Sequence, residues 1–218
     1  MCFSASASFG ASAVLGVMGV VAITKARTIP QRLFASIPLL FSVQQLTEGM
    51  LWLSLKDPDL MAWQPFFTYT FLVFATMVWP VWIPLTIRLL EKDAMRKKKM
   101  NILLGVGALV FIGIGFVLLL CRVLVVPTHH HLHYDFNFSE RPTTGIVIFS
   151  LLYFAATIIT PFISGIKKMK WLGIVFGASY LFAVSFYSGF VISVWCFFAA
   201  ILSFVVLWII RDLRKQVS

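Results

Sequence analysis

Residues 33–55 read LFASIPLLFSVQQLTEGMLWLSL. At about 1.5 Å of rise per helical residue, the run is long enough to cross the ~30 Å hydrocarbon core of a bilayer. It holds one charge, Glu48. A carboxylate at the centre of such a helix costs about 2.5–3.5 kcal/mol on insertion scales, so it faces a partner, a cavity or water. The stretch therefore predicts a membrane span with a polar site on it. Six further apolar segments accompany it: Ser6–Thr24, Gln64–Leu90, Asn101–Val125, Thr144–Ser164, Trp171–Ser188 and Phe190–Ile210. The last two divide one apolar run by a turn at Ser188-Gly189, with a single kinked or re-entrant element as the alternative.

Composition agrees. The chain has 218 residues, of which 60% are hydrophobic and 12% charged, about half the charge content of a soluble domain. Little polar sequence is left over, so the expectation is one transmembrane helical domain over residues 1–218. The fold class expected is all-α, a polytopic bundle of seven helices. The net charge of +10 does not point to nucleic acid, because the cations mark one side of a membrane instead of one water-exposed face. Fifteen of the eighteen Lys and Arg residues fall in the first, third, fifth and final connections; only Lys56, Arg122 and Arg141 fall on the other side. The positive-inside rule then places the N-terminus outside and the C-terminus in the cytoplasm, which an odd number of spans satisfies. The first segment has no charge before it and Lys25 and Arg27 after it, so it is expected to stay as a helix and not to be cleaved as a signal peptide.

Within the spans, Ser8, Ser12 and Gly16, with Gly19 nearby, leave one face of the first helix nearly bare, which predicts a close packing seam. Trp52 and Trp63 at one interface, and Trp171 and Trp208 at the other, suit an aromatic belt. Pro80 and Pro84 predict a kinked or loosened third span.

Three groups of residues have chemistry to offer. Gln44, Gln45, Glu48 and Trp52 lie on one broad helix face, with Glu48 about 10 Å below the outer surface. Two readings are open: an interhelical hydrogen-bond network with Glu48 neutral, or a binding site for a ligand, proton or metal. The connection PTHHHLHYDFNFSERP, residues 127–142, carries all four histidines. In an extended chain His129, His131 and His133 point the same way, as a Zn2+, Cu2+ or Ni2+ site requires, and Asp135 could add an oxygen; a solvated polar loop is the alternative. Cys2, Cys121 and Cys196 fall in the outer half, where Cys2 could join such a metal set or pair with Cys121 in an oxidising compartment; packing is the alternative for Cys121 and Cys196. Asn137-Phe138-Ser139 matches a glycosylation acceptor. The run Arg96–Lys99 is expected beside the membrane, where it attracts anionic lipid.

Known seven-helix chemistries fit poorly. A retinal-type pump needs a lysine in its last helix, and none lies between Phe190 and Ile210. Seven-helix zinc hydrolases of the alkaline ceramidase and adiponectin-receptor type carry metal histidines within helices, and no predicted span contains one. Pro30-Gln31 echoes the Pro-Gln dipeptide of small sugar transporters, with no counterpart in the second half. The opening MCFSASASF together with QQLTEGMLW does resemble an uncharacterised group of bacterial seven-helix membrane proteins that begin MCFSA. That resemblance implies a bacterial inner-membrane setting, no established activity, and Cys2, Phe3, Ser4, Gln45, Glu48, Gly49 and Trp52 as pattern positions. Three functions follow as expectations. The first is binding or transport of a small solute, proton or metal ion around Glu48. The second is a membrane metalloenzyme using Zn or Cu held by Cys2, Glu48 and the histidine loop. The third is a structural or assembly protein without a site. The lipid bilayer is the expected partner; the oligomeric state is not read from the sequence.

Overall fold

The computed structural model describes residues 4–128, 131–137, 143–186, 195 and 199–215. Each of the seven predicted segments has a helical counterpart. Helix α1 (Ala5–Lys25) starts at Ser4, whose side chain accepts the Ala7 N–H. A short α2 (Ile29–Ala35) begins behind the Thr28 cap and Pro30, then breaks at Ser36 before α3 (Ile37–Ser54). Pro38, in the first turn of α3, supplies no N–H to the preceding turn, so the predicted single span Leu33–Leu55 becomes two helices.

The third span is continuous from Gln64 to Leu90 but is not uniform. It runs as α4 (Gln64–Leu72), a wide π-helical stretch (Val73–Val78) and α5 (Trp79–Leu90). The fifth span repeats the device, with α7 (Thr143–Phe154), a π stretch (Ala155–Ile159) and α8 (Thr160–Ile163). Each π stretch ends just before a residue-proline pair, Trp79-Pro80 or Thr160-Pro161. A proline inside a helix lacks the N–H for the carbonyl four residues back and presses its ring against it. Widening the turn upstream relieves the clash without a sharp kink. Thr76, Thr157 and Thr160 donate their hydroxyls to the carbonyls of Leu72, Tyr153 and Ala156, at 2.7–2.8 Å. Tyr153, at the end of α7, ties the fifth span to the first π stretch by donating to the Ala75 carbonyl at 3.0 Å.

Helix α6 (Ala94–Leu120) starts two turns before the predicted Asn101, because Asp93 caps it by accepting the Arg96 N–H at 2.8 Å. It also ends earlier than predicted. Val123–Thr128 forms strand β1, paired antiparallel with β2 (His131–Phe136). The connection read as a loop is therefore a hairpin, built on a β-branched run that favours extended chain. Helices α9 (Met169–Phe186) and α10 (Ala199–Lys215) complete the bundle; the Ser188-Gly189 turn lies outside the described residues.

Five described helical segments are long and apolar enough to span a bilayer: α1, Pro58–Leu90, α6, Thr144–Ile163 and α9. The architecture is an all-α membrane bundle carrying one small hairpin. One core, around Phe34, Ile83, Ile87, Met169 and Leu172, lies toward the basic end. The second lies beneath the hairpin, where Leu51, Trp52, Phe71 and Leu72 pack with Val123, Val125, Leu132 and Tyr134.

Candidate functional site in the α3 polar stripe

Helix α3 is held by α1 on one side and by α4 and α10 on the others. The small-residue face of α1 lets the two backbones approach. A Cβ on Gly19 would sit 2.7 Å from the Leu39 nitrogen. Ser12 and Ser42 exchange hydrogen bonds, Ser12 Oγ donating to the Ser42 carbonyl at 2.8 Å and Ser42 Oγ to the Ser12 carbonyl at 2.7 Å. Toward the hairpin, Gly49 presses on the Phe9 ring; a Cβ there would lie 2.6 Å from Phe9 Cε1.

This seam buries the whole predicted stripe. Gln44 and Glu48 are 0% exposed, Gln45 2% and Trp52 3%. Gln45 Nε2 donates to Glu48 Oε2 at 3.2 Å, so one predicted amide does meet the acid. The other amide, Gln44, turns to α5, where its Oε1 accepts the Trp79 indole N–H at 2.9 Å. Trp79 also stacks on Phe41, with ring centroids 3.8 Å apart. It stands on the first residue after the π stretch. Two further polar atoms are Ser8 Oγ, next in sequence to the Phe9 that packs on Gly49, and Trp52 Nε1, one helical turn beyond Glu48 on α3. Both are buried and have no hydrogen-bond partner among the described residues. A buried polar group left unpaired costs about 1–3 kcal/mol, so neither atom is one that packing alone selects.

Trp52 corrects an expectation. It does not stand in an interfacial belt, because the hairpin covers it. Trp63, Trp171 and Trp208 remain exposed. The hairpin is pinned by Tyr69, whose hydroxyl donates to the Cys121 carbonyl at 3.1 Å and accepts the Val123 N–H at 3.3 Å. Tyr134 stacks on Phe71 at 5.4 Å.

The predicted histidine segment thus folds over the end of α3, but with the other face inward. Leu132 and Tyr134 are buried, while His131 and His133 alternate with them on the opposite face of β2 and are partly exposed. Cys2, His129 and Cys196 lie outside the described residues. Cys121 carries a free thiol at the end of α6. Among the described residues no three His, Cys, Asp or Glu side chains gather where they could hold a metal. Asn137 of the predicted glycosylation pattern is exposed, and Phe138 and Ser139 lie outside the described residues.

Sequence reasoning missed Trp79 and Ser42 as neighbours of this site. For Trp79 the available signal was an aromatic directly before a mid-span proline. For Ser42 it was the small-residue face of α1 opposite it, which was read only as packing.

The protein is an integral membrane protein by the length and composition of its helices. No curated protein and no solved structure matches the chain. A family model does match, over residues 1–218, and the chain belongs to that family, described as a family of unknown function (DUF6629).

Proposed function

We propose that this membrane protein binds a proton or a small polar or cationic solute at Glu48 and passes it through the bundle, with the hairpin end outside, in a bacterial inner membrane. The observation that carries the reading is Glu48 itself: a fully buried acid, bonded to the Gln45 amide, on a helix face that also buries Gln44 and Trp52. A purely structural helix would gain from an apolar residue there, since an acid in a membrane helix is expensive and marks solute and proton pathways. The Gln44–Trp79 bond ties this stripe to the π-widened span, so a change at Glu48 has a direct mechanical route into α5. Wide turns of this kind recur at functional sites. The orientation rests on the cation count, fifteen of eighteen Lys and Arg lying in connections assigned to one side. The bacterial setting rests on the resemblance to proteins that begin MCFSA.

The test is the thermal stability of detergent-purified protein across pH and across a panel of monovalent and divalent cations, for wild type and Glu48→Gln. The substitution is nearly isosteric and keeps an acceptor for Gln45, so folding is retained. A dependence on pH or on one cation that is present in wild type and lost in Glu48→Gln supports the site. Superimposable profiles for two folded proteins reject it.

A further inference from the structure

At the end of the bundle opposite the hairpin, the C-termini of α1 and α10 and the turn between α8 and α9 enclose a cleft of about 490 Å3. Lys25 enters it from the last turn of α1, Arg27 from the connection that follows, Lys168 from the turn, and Arg211, Arg214 and Lys215 from α10. Among the described residues its one acid is Asp212, which is already engaged: Lys168 Nζ lies 2.6 Å from Asp212 Oδ1. The same ammonium sits 4.4 Å above the Trp208 ring. Apart from Arg214 and the Lys168 that Asp212 engages, Lys25, Arg27, Arg211 and Lys215 still bring four positive charges to the cleft. Two helix C-termini supply roughly half a negative charge each, which offsets about one of them.

Positive-inside bias explains why cations lie at this end. It does not explain why cations from three separate segments gather around one cleft, where they repel one another unless an anion joins them. Lys168 is held in place from the α5–α6 connection. Glu91 accepts the Gly165 N–H at 2.6 Å and the Ser164 hydroxyl at 3.3 Å, fixing the turn that presents the lysine.

We infer that this cleft binds the phosphate of an anionic phospholipid, with the acyl chains lying along α10. Ile201, Phe204 and Trp208 are exposed at intervals of three and four residues, a continuous apolar stripe that leads to Arg211. On the neighbouring α1, Val17 and Val20 are likewise exposed. An indole between an apolar stripe and a ring of cations sits at the level of a lipid headgroup. Arginine forks match phosphate oxygens, and basic pockets between helices are known headgroup sites. A free phosphate would use the cations but not the stripe.

The experiment is native mass spectrometry of the full-length protein in detergent, titrated with phosphatidylglycerol or phosphatidylcholine, with and without competing inorganic phosphate. The cleft variant is Arg27→Gln/Arg211→Gln/Lys215→Gln. The control, Lys92→Gln/Lys98→Gln/Lys99→Gln, removes the same charge from exposed positions outside the cleft. Phosphatidylglycerol should bind the wild type and the control alike, and the cleft variant on the order of a hundredfold more weakly. Should the triple variant not fold, Arg211→Gln alone should weaken binding about fivefold. Equal weakening in the control would reduce the effect to diffuse charge and overturn the assignment. So would phosphatidylcholine binding as tightly as phosphatidylglycerol. Displacement of the lipid by inorganic phosphate at comparable concentration would assign the cleft to free phosphate instead.

Discussion

Replacing Gly107 by alanine tests the packing that sets the position of α5, and so of Trp79. Gly107 of α6 lies against the backbone of Pro80, and a Cβ there would stand 1.8 Å from the Pro80 carbonyl oxygen. Side-chain carbons essentially never approach closer than 3.0 Å, so the helices must separate by roughly 1.2 Å. The obstacle is a backbone atom that no rotamer change can move. Overpacking of this kind costs about 1–3 kcal/mol, and the upper half of that range is expected. Helix α6 should be the one to yield, because much of its surface faces outward, with Ile102, Leu109, Ile112 and Phe116 all exposed. Trp79 would then stay on Gln44. Gly105→Ala, two residues away with nothing within 4 Å of its added Cβ, is the internal control. It should be neutral or stabilising by up to about 1 kcal/mol. The assay is equilibrium unfolding in mixed micelles followed by helicity, for both variants and for Gly107→Ala combined with Trp79→Phe. Trp79→Phe by itself keeps an aromatic ring on Phe41 and loses the indole N–H, at a cost of about 0.6–1.7 kcal/mol. Additivity within about 0.5 kcal/mol says that α6 moved alone; a larger coupling says that α5 moved too. If Gly107→Ala proves as harmless as Gly105→Ala, the α5–α6 approach is wrong, and with it the placement of Trp79.

Two other outcomes follow from the geometry. Tyr69→Phe removes the hydroxyl that bridges Cys121 and Val123; amide exchange of Val123–Phe136 should accelerate by a factor corresponding to about 1–2 kcal/mol, while exchange in α9 stays unchanged. Glu91 is buried, which raises its pKa, but the N–H groups of Gly165, Asp93 and Lys92 and the Ser164 hydroxyl outweigh that and leave the carboxyl below its usual 4.5. Its stabilising contribution is therefore present above pH 4.5 and is lost as pH falls through the depressed folded value. The thermal midpoint of wild type should drop over that acid range and that of Glu91→Gln should drop less; parallel curves would remove Glu91 as the clasp of the Gly165 turn.

Legibility differed from residue to residue. The apolar runs and the cation bias needed only composition along the chain, because each backbone polar group in lipid must be satisfied within its own segment. The Gln44–Glu48 stripe was visible because a polar residue inside such a run stands out, and helical spacing placed its members on one face. The start of α6 was missed because Arg96–Lys99 looked like a connection, although the Asp93 cap carries the helix through them. The hairpin was missed because Val123–Val125 continues an apolar run that helical and extended chain share equally well.

What the sequence by itself determined, then, is the class of molecule, the extent of most of its apolar helices to within a turn or two, and the helix face that carries Glu48. Tertiary structure alone decided what that face meets: Ser12 opposite Ser42, Phe9 on Gly49, Trp79 on Gln44, and the apolar face of the hairpin, not its histidines, over Trp52. It also gathered Lys25, Lys168 and Arg211 around one cleft. The physical reason lies in the solvent. In water, burial writes an amphipathic period that identifies the packed face of a helix. In lipid, the packed and exposed faces are both apolar, so that Val110, buried in α6, and Leu109 beside it, exposed, look alike until the neighbouring helices are in place.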